Sequence, residues 1–203
     1  MSNKSPKNEK SNFMFDAISG IYSLFYAHQQ KRFGSALKAA EPFFEISKFS
    51  NALDVGCGTG ALCAVLSHAG VQMTGIDNSS KMLKIAAGKN ADDNIRFLFH
   101  DASTPLPFND GEFDFSIASY VAHGLETNER AKMLAEMRRV SKHYVILHDY
   151  AKKRKLTTDI IESLEGGNYF SFIKNIENEL DSLFTDVGII PVGKNALWYI
   201  CKV

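Results

Sequence analysis

The sequence predicts an α/β fold: a seven-stranded, mostly parallel sheet with an antiparallel last strand and helices on both faces. Two observations carry this. Beyond Phe49 short apolar runs alternate with stretches whose apolar residues recur at helical spacing, the pattern of βαβ units. Near the end of the chain "GIIPV" and "ALWYICKV" are separated only by Gly193, Lys194 and Asn195, which predicts an antiparallel hairpin.

Taken in order, "MSNKSPKNEK" is rich in Lys, Asn and Ser and reads as the start of a disordered tail over residues 1–11. From Asn12 to Ser47 the spacing of Met14, Ile18, Ile21, Phe25, Phe33, Leu37, Ala40 and Phe44 predicts helix, broken or bent at Gly34 and Pro42. "NALDV" reads as a strand, Ala61–His68 as a helix, "VQMTGI" as a strand and Ser80–Ala87 as a helix. "NIRFLF" and "FDFSIA" follow as strands, then Glu126–Val140 as a helix and "HYVILHD" as a buried strand. Helices over Leu156–Leu164 and Phe170–Phe184 precede the hairpin. We read one domain over 12–203: cap helices at 12–48, a cofactor-binding core at 49–149, and acceptor-side helices with the hairpin at 150–203.

With 23 basic and 23 acidic residues the net charge is zero, so general nucleic-acid binding has no electrostatic support. Cys57, Cys63 and Cys201 make no CxxC pair and no zinc spacing, so no metal is expected; thiols so sparse fit a reducing cytoplasm. The N-terminus lacks the apolar segment of a signal peptide, and no apolar run approaches the roughly 20 residues of a membrane span.

Between the first strand and first core helix lies Gly56-Cys57-Gly58-Thr59-Gly60. Glycines there permit positive φ and close ligand approach, and free N–H groups at a helix start favour a negatively charged ligand group. A plain turn rarely needs three glycines. A nucleoside triphosphate is disfavoured because no Lys-Ser/Thr pair closes the loop. A dinucleotide stays in play, since Gly56, Gly58 and Ala61 satisfy G-x-G-x-x-A and Asp77 lies about twenty residues on. Three features favour another ligand. Asp54 precedes the glycines, where it would repel a pyrophosphate but suit an ammonium and a sulfonium. Asp101 follows the third strand, placed to accept from an exocyclic amine. The sheet ends in a hairpin, and Tyr150 is followed four residues later by Arg154, not by the lysine of hydride-transfer enzymes.

"LDVGCGTG", "GIDNSSKML", "HDASTPLPFNDGEFDFSIASYVAHGLE" and the closing hairpin together resemble the class I S-adenosylmethionine-dependent methyltransferases, which are Rossmann-like. The branch is that of small-molecule enzymes similar to ubiquinone/menaquinone-biosynthesis methyltransferases. The likeness spans about Ala52–Leu147, and "FDAISGIY" (Phe15–Tyr22) resembles that branch's cap helix.

The resemblance implies that Gly56, Cys57, Gly58, Thr59 and Gly60 carry the methionine part of S-adenosylmethionine, with Asp54 near its amino group and Tyr22 on the cap side. Asp77 would accept from both ribose hydroxyls; its other reading is a helix N-cap. Asn78 and Met82 would flank the adenine, and Asp101 with Ala102 would meet its amine, Asp101 being otherwise a turn residue. Ser119 and Tyr120 end the fourth strand beside the transfer centre, where strand ends place ligands. His123, His148 and Tyr150 are the candidate bases, with a helix cap, a satisfied histidine or a strand end as the alternatives. Tyr169, Phe170 and Phe172 read as core or as an aromatic lid over the acceptor, and Tyr26 would close the other side with Tyr22. Lys152–Lys155 reads as a solvated face, or as an anion site.

The expected activity is methyl transfer to O, N or C of a small organic acceptor in the cytoplasm, with S-adenosylhomocysteine as coproduct. Two other classes compete: a protein that binds the cofactor without transferring the methyl group, and a dinucleotide-dependent reductase.

Overall fold

The computed structural model describes residues 25–90, 94–151 and 169–203. Its strands are Asn51–Val55 (β1), Gln72–Asp77 (β2), Ile95–Phe99 (β3), Phe113–Ser119 (β4), Ser141–Tyr150 (β5), Val187–Gly193 (β6) and Ala196–Lys202 (β7). They form one sheet in the order β3-β2-β1-β4-β5-β7-β6. Every pairing from β3 through β5 is parallel, and β7 runs antiparallel to both β5 and β6. The helices are 25–40 (α1), Ala61–His68 (α2), Ser80–Lys89 (α3), Thr127–Val140 (α4) and Tyr169–Leu183 (α5). The tail, Tyr22, the helix expected at 156–164 and the Lys152–Lys155 run lie outside the described residues.

The sheet forms because its central strands are apolar on both faces, as a parallel sheet covered on both sides requires. Along β5, Val145 and Leu147 enter one core while Ile146 enters the other. The first core packs α4 and α5 through Met133, Met137, Phe172 and Ile176. The second packs α1 and α2 through Ala36, Ala40, Leu62 and Leu66. The hairpin closes with Lys194 and Asn195 alone at its tip, Gly193 being part of β6 and opposite Ala196. Pro191 is tolerated because β6 is an edge strand, which need not donate on both sides.

Several boundaries differ from those the sequence predicts, most by one or two residues. α1 runs straight through Gly34. A glycine costs a helix about 1 kcal/mol, less than burying the face that carries Tyr26, Ala36 and Ala40 contributes. The helix ends at residue 40, and Pro42 lies in the turn that follows. α4 begins one residue later than expected because Glu126 is its cap, the backbone N–H of Glu126 donating to Glu129 at 3.2 Å. Among the described residues no helix is long and apolar enough to cross a membrane.

One buried cation fastens the acceptor-side layer. Arg130, fully buried, makes a two-pronged pair with Glu179 of α5, at 2.6 and 2.7 Å. It also donates to the carbonyls of Ala122 and Leu125 at 3.2 and 2.7 Å, and lies 5.6 Å from the Phe172 ring centre. α4, α5 and the short turn Ala122–Gly124 are thus held by one guanidinium. Arg130→Ala strands Glu179 and two carbonyls together. We expect a loss of about 3 kcal/mol, read from the urea midpoint at unchanged m-value; a loss under about 1 kcal/mol would contradict the clamp.

Candidate active site

The strand order reverses between β2-β1 and β4-β5, so the loops leaving β1 and β4 part and open a crevice at the carboxyl ends of the strands. The glycine loop leaves β1 there, and Tyr120–His123 leaves β4. They approach closely: a Cβ on Gly56 (φ +73°) would lie 2.5 Å from Val121 Cγ2. Gly58 (φ +52°) has nothing within 4 Å of the position a Cβ would take. The loop is therefore packed at its first glycine and open at its second.

Four of its five backbone donors are used internally, contrary to what the glycine spacing suggests. Gly56 and Cys57 N–H both donate to Ile76 O at 2.9 Å, and Gly60 N–H donates to Cys57 O at 2.9 Å. Gly58 N–H donates to the Asp77 carboxylate at 2.9 Å. A loop that spends these donors internally is a poor cradle for a pyrophosphate.

What faces the loop instead is acid. Asp54 is 1% exposed. Its Oδ2 accepts from the Cys63 thiol at 3.2 Å, and its Oδ1 has no hydrogen-bond partner among the described residues. Burial, helped by the Asp77 charge, pushes its carboxyl up to about 7. An unsatisfied buried acceptor of this kind fits a ligand that brings its own donor, best a cationic one. Asp77, half-buried at the end of β2, also accepts from Ser79 N–H at 2.8 Å. It is not the cap of α3: Ser79 fills that place, its Oγ accepting from Met82 N–H at 3.3 Å.

Further out, Asn78 is exposed and Met82 half-buried on α3. Asp101 is exposed, and its Oδ1 accepts from the N–H and hydroxyl of Ser103 at 2.9 and 2.8 Å. Those two bonds hold its carboxyl below the usual range. Asp101 is thus a turn residue by geometry, with Ala102 packed against the first core. α1 covers the glycine loop: the Thr59 hydroxyl donates to Gln29 at 2.9 Å, and the Tyr26 hydroxyl donates to Asn90 at the end of α3.

On the β4–β5 side the three candidate bases come together around Tyr120. Its ring centre lies 4.9 Å from His148, 5.0 Å from Tyr150 and 6.5 Å from His123. Tyr120 sits at φ +56°, a strained place for a bulky residue, fixed by its N–H donating to His148 O at 2.8 Å. His148 is buried, which pushes its imidazole down to about 4, with Arg32 adding to the fall; Ser119 Oγ is 3.3 Å from its Nδ1. His123 is different: Nδ1 lies 2.9 Å from Oδ1 of fully buried Asp149, and its own N–H donates to Asp149 Oδ2 at 3.3 Å. Tyr169 and Phe172 of α5 pack against His123, and Phe172 is fully buried core, not a lid.

Sequence reasoning missed Asp149, Arg32 and Gln29. The first stood in "HDY" beside two residues that were singled out, whereas nothing in a helical period separates a site-facing Arg32 from a solvated one. Arg32 donates to the Tyr120 hydroxyl at 3.1 Å, with its guanidinium carbon 5.6 Å from that ring's centre. A cavity of about 470 Å³ opens between α1, Tyr120, the end of β5 and the hairpin tip.

A raised carboxyl has a stability consequence. Asp54 favours folding below its ordinary 3.8, and that contribution is lost as pH rises towards about 7. The expected cost is up to about 1.4 kcal/mol per pH unit across that window. Asp54→Asn removes the slope, so the variant should gain on the wild type as pH rises from about 4 to 7. Parallel stability curves would contradict a buried, uncompensated Asp54.

Residues 52–143 match the family described as "Methyltransferase domain". Demethylmenaquinone methyltransferase of Renibacterium salmoninarum is 43% identical over 91 residues, which cover 44% of this chain and 36% of that protein. Its namesake from Thermotoga maritima is 35% identical over 135 residues, 64% of this chain and 56% of that protein. The chain thus spans about half the length, or less, of the curated relatives it matches. In fold it is similar to a SAM-dependent methyltransferase from Aquifex aeolicus, with a TM-score of 0.60 at 21% identity, covering 81% of this chain and 93% of that one. Magnesium protoporphyrin IX methyltransferase from Synechocystis PCC 6803, solved with bound SAH, gives 0.60 at 19%, covering 86% and 83%. The strand order, the crevice and the matched segment agree: residues 52–143 match the methyltransferase-domain family and resemble the menaquinone-biosynthesis methyltransferases.

Proposed function

We propose that this protein transfers a methyl group from S-adenosylmethionine to a small organic acceptor at O, N or C. The observation that carries the reading is Asp54, a buried carboxylate whose Oδ1 lacks a partner among the described residues, at the mouth of a glycine loop open at Gly58. S-adenosylmethionine supplies, when bound, an electrophilic methyl group on a sulfonium. In this reading Asp54 answers the ligand's ammonium and Gly58 leaves room for its backbone. Asp77 accepts from the ribose hydroxyls. Asn78 and Met82 flank the adenine, and Asp101 with Ala102 meets its amine.

The chain's remaining work is to orient the acceptor and move its proton. Methyl transfer is an in-line substitution, so positioning carries much of the rate and a base is needed only where the nucleophile must lose a proton. Of the three candidates His123 is best set for that. Asp149 accepts at Nδ1, which makes Nε2 the basic nitrogen of the neutral ring and stabilises the imidazolium once formed. His148, pushed down to about 4, is too weak a base near neutrality and serves to seat Ser119 and Tyr120. Tyr150, its ring 4.9 Å from that of His123, helps to hold that imidazole in place. Three buried free thiols support a reducing, cytoplasmic setting.

Calorimetry with S-adenosylhomocysteine tests the donor half. The wild type should bind it, and Asp77→Ala should weaken binding about 10- to 100-fold with the fold intact. No binding by the wild type at high micromolar ligand would sink the reading. His123→Ala should leave that affinity unchanged and, for an acceptor that loses a proton, lower kcat by about 10²-fold or more.

A further inference from the structure

The cavity between α1 and the hairpin tip is charged in one sense. Arg32 and Lys194 stand on its wall, and no Asp or Glu lines it among the described residues. No carboxylate of the described residues lies within 4 Å of Arg32 or Lys194; Arg32 instead holds the Tyr120 hydroxyl and the face of its ring. The remaining wall includes Phe25, Tyr120 and Tyr150, and Phe25 stays 57% exposed at the rim. Arg32 also helps to depress His148, which shows that its charge is felt inside the cavity.

We infer that this cavity receives a planar, aromatic methyl acceptor bearing a carboxylate, which Arg32 and Lys194 bind while the Tyr120 and Tyr150 rings flank its plane. The inference rests on the methyltransferase reading and names its acceptor class. A guanidinium fork matches a carboxylate in two parallel hydrogen bonds, and an aromatic wall favours a flat partner. A cavity of about 470 Å³ is of the size that takes a molecule of one or two rings. The cavity adjoins the glycine loop, because Gln29 on its wall accepts from the Thr59 hydroxyl at 2.9 Å, and Tyr120 on the same wall follows directly on β4. Arg32 therefore selects the acceptor, and Gln29 links its cavity to the glycine loop.

The test titrates three matched probes into the full chain loaded with S-adenosylhomocysteine: para-hydroxybenzoate, its neutral carboxamide and the cation tyramine. Binding is read by calorimetry or ligand-observed NMR. The benzoate should bind about tenfold tighter than the carboxamide at low salt, with tyramine weakest, and the gap should shrink at about 0.5 M salt. Arg32→Met should cut that gap to about threefold or less while S-adenosylhomocysteine affinity stays unchanged; Lys194→Gln should narrow it less, because a lysine is a point charge on a flexible stem. Equal or reversed preference, an unchanged gap in Arg32→Met that circular dichroism shows folded, or no binding of any probe would overturn the inference. Failure of the wild type to bind S-adenosylhomocysteine would instead overturn the transferase reading. The anion preference would then still be read on the unloaded chain.

Discussion

The site is organised around one uncompensated charge. Asp54 lies on β1, an inner strand of the sheet, paired in register with Gly75 on one side and Ile117 on the other. Strand geometry therefore fixes where its carboxyl points, and burial denies it water. The surrounding structure does not neutralise it. Cys63 gives one thiol bond, no cation of the described residues pairs with it, and Asp77 adds a second negative charge nearby. The glycine loop then directs its donors to Ile76 and Asp77. A site with two acids and few free donors is unsuited to a phosphate and suited to a ligand that is cationic where it meets β1.

The two halves of the crevice are held by different means. The donor half stands on strand ends and on the close approach of Gly56 to Val121, which permits little movement. The acceptor half is assembled from turns and helices, and long-range polar contacts pin it. Arg130 carries the turn that bears His123, Asp149 seats the His123 ring, and Thr59–Gln29 ties α1 over the loop. In the proposed function this division puts donor binding on rigid backbone and leaves acceptor choice to side chains of α1 and the hairpin.

Much of the fold was legible because strands and α2 declare themselves through local apolar periodicity. The ends of β1 and the bounds of α2 fell where the residues placed them, and the hairpin formed with a tip one residue shorter. Boundaries failed where a local rule met tertiary packing, as at Gly34. The glycine loop was legible as a ligand loop, yet its N–H groups looked free, since nothing local reveals that Ile76 O accepts two of them. Arg130 and Arg32 were invisible for a related reason. Their partners lie 49 and 88 residues away, so a buried clamp and a site-facing cation read in sequence as ordinary helical charges.

The most direct measurement is a carbon-13 NMR titration of the Asp54 carboxyl, without and with saturating S-adenosylhomocysteine. Without ligand Asp54 should titrate near 7. With ligand the midpoint should fall by at least about one pH unit, as an ammonium arrives beside the buried charge. A midpoint near the ordinary carboxylate value in the free protein, or one that the ligand leaves in place, would contradict the account.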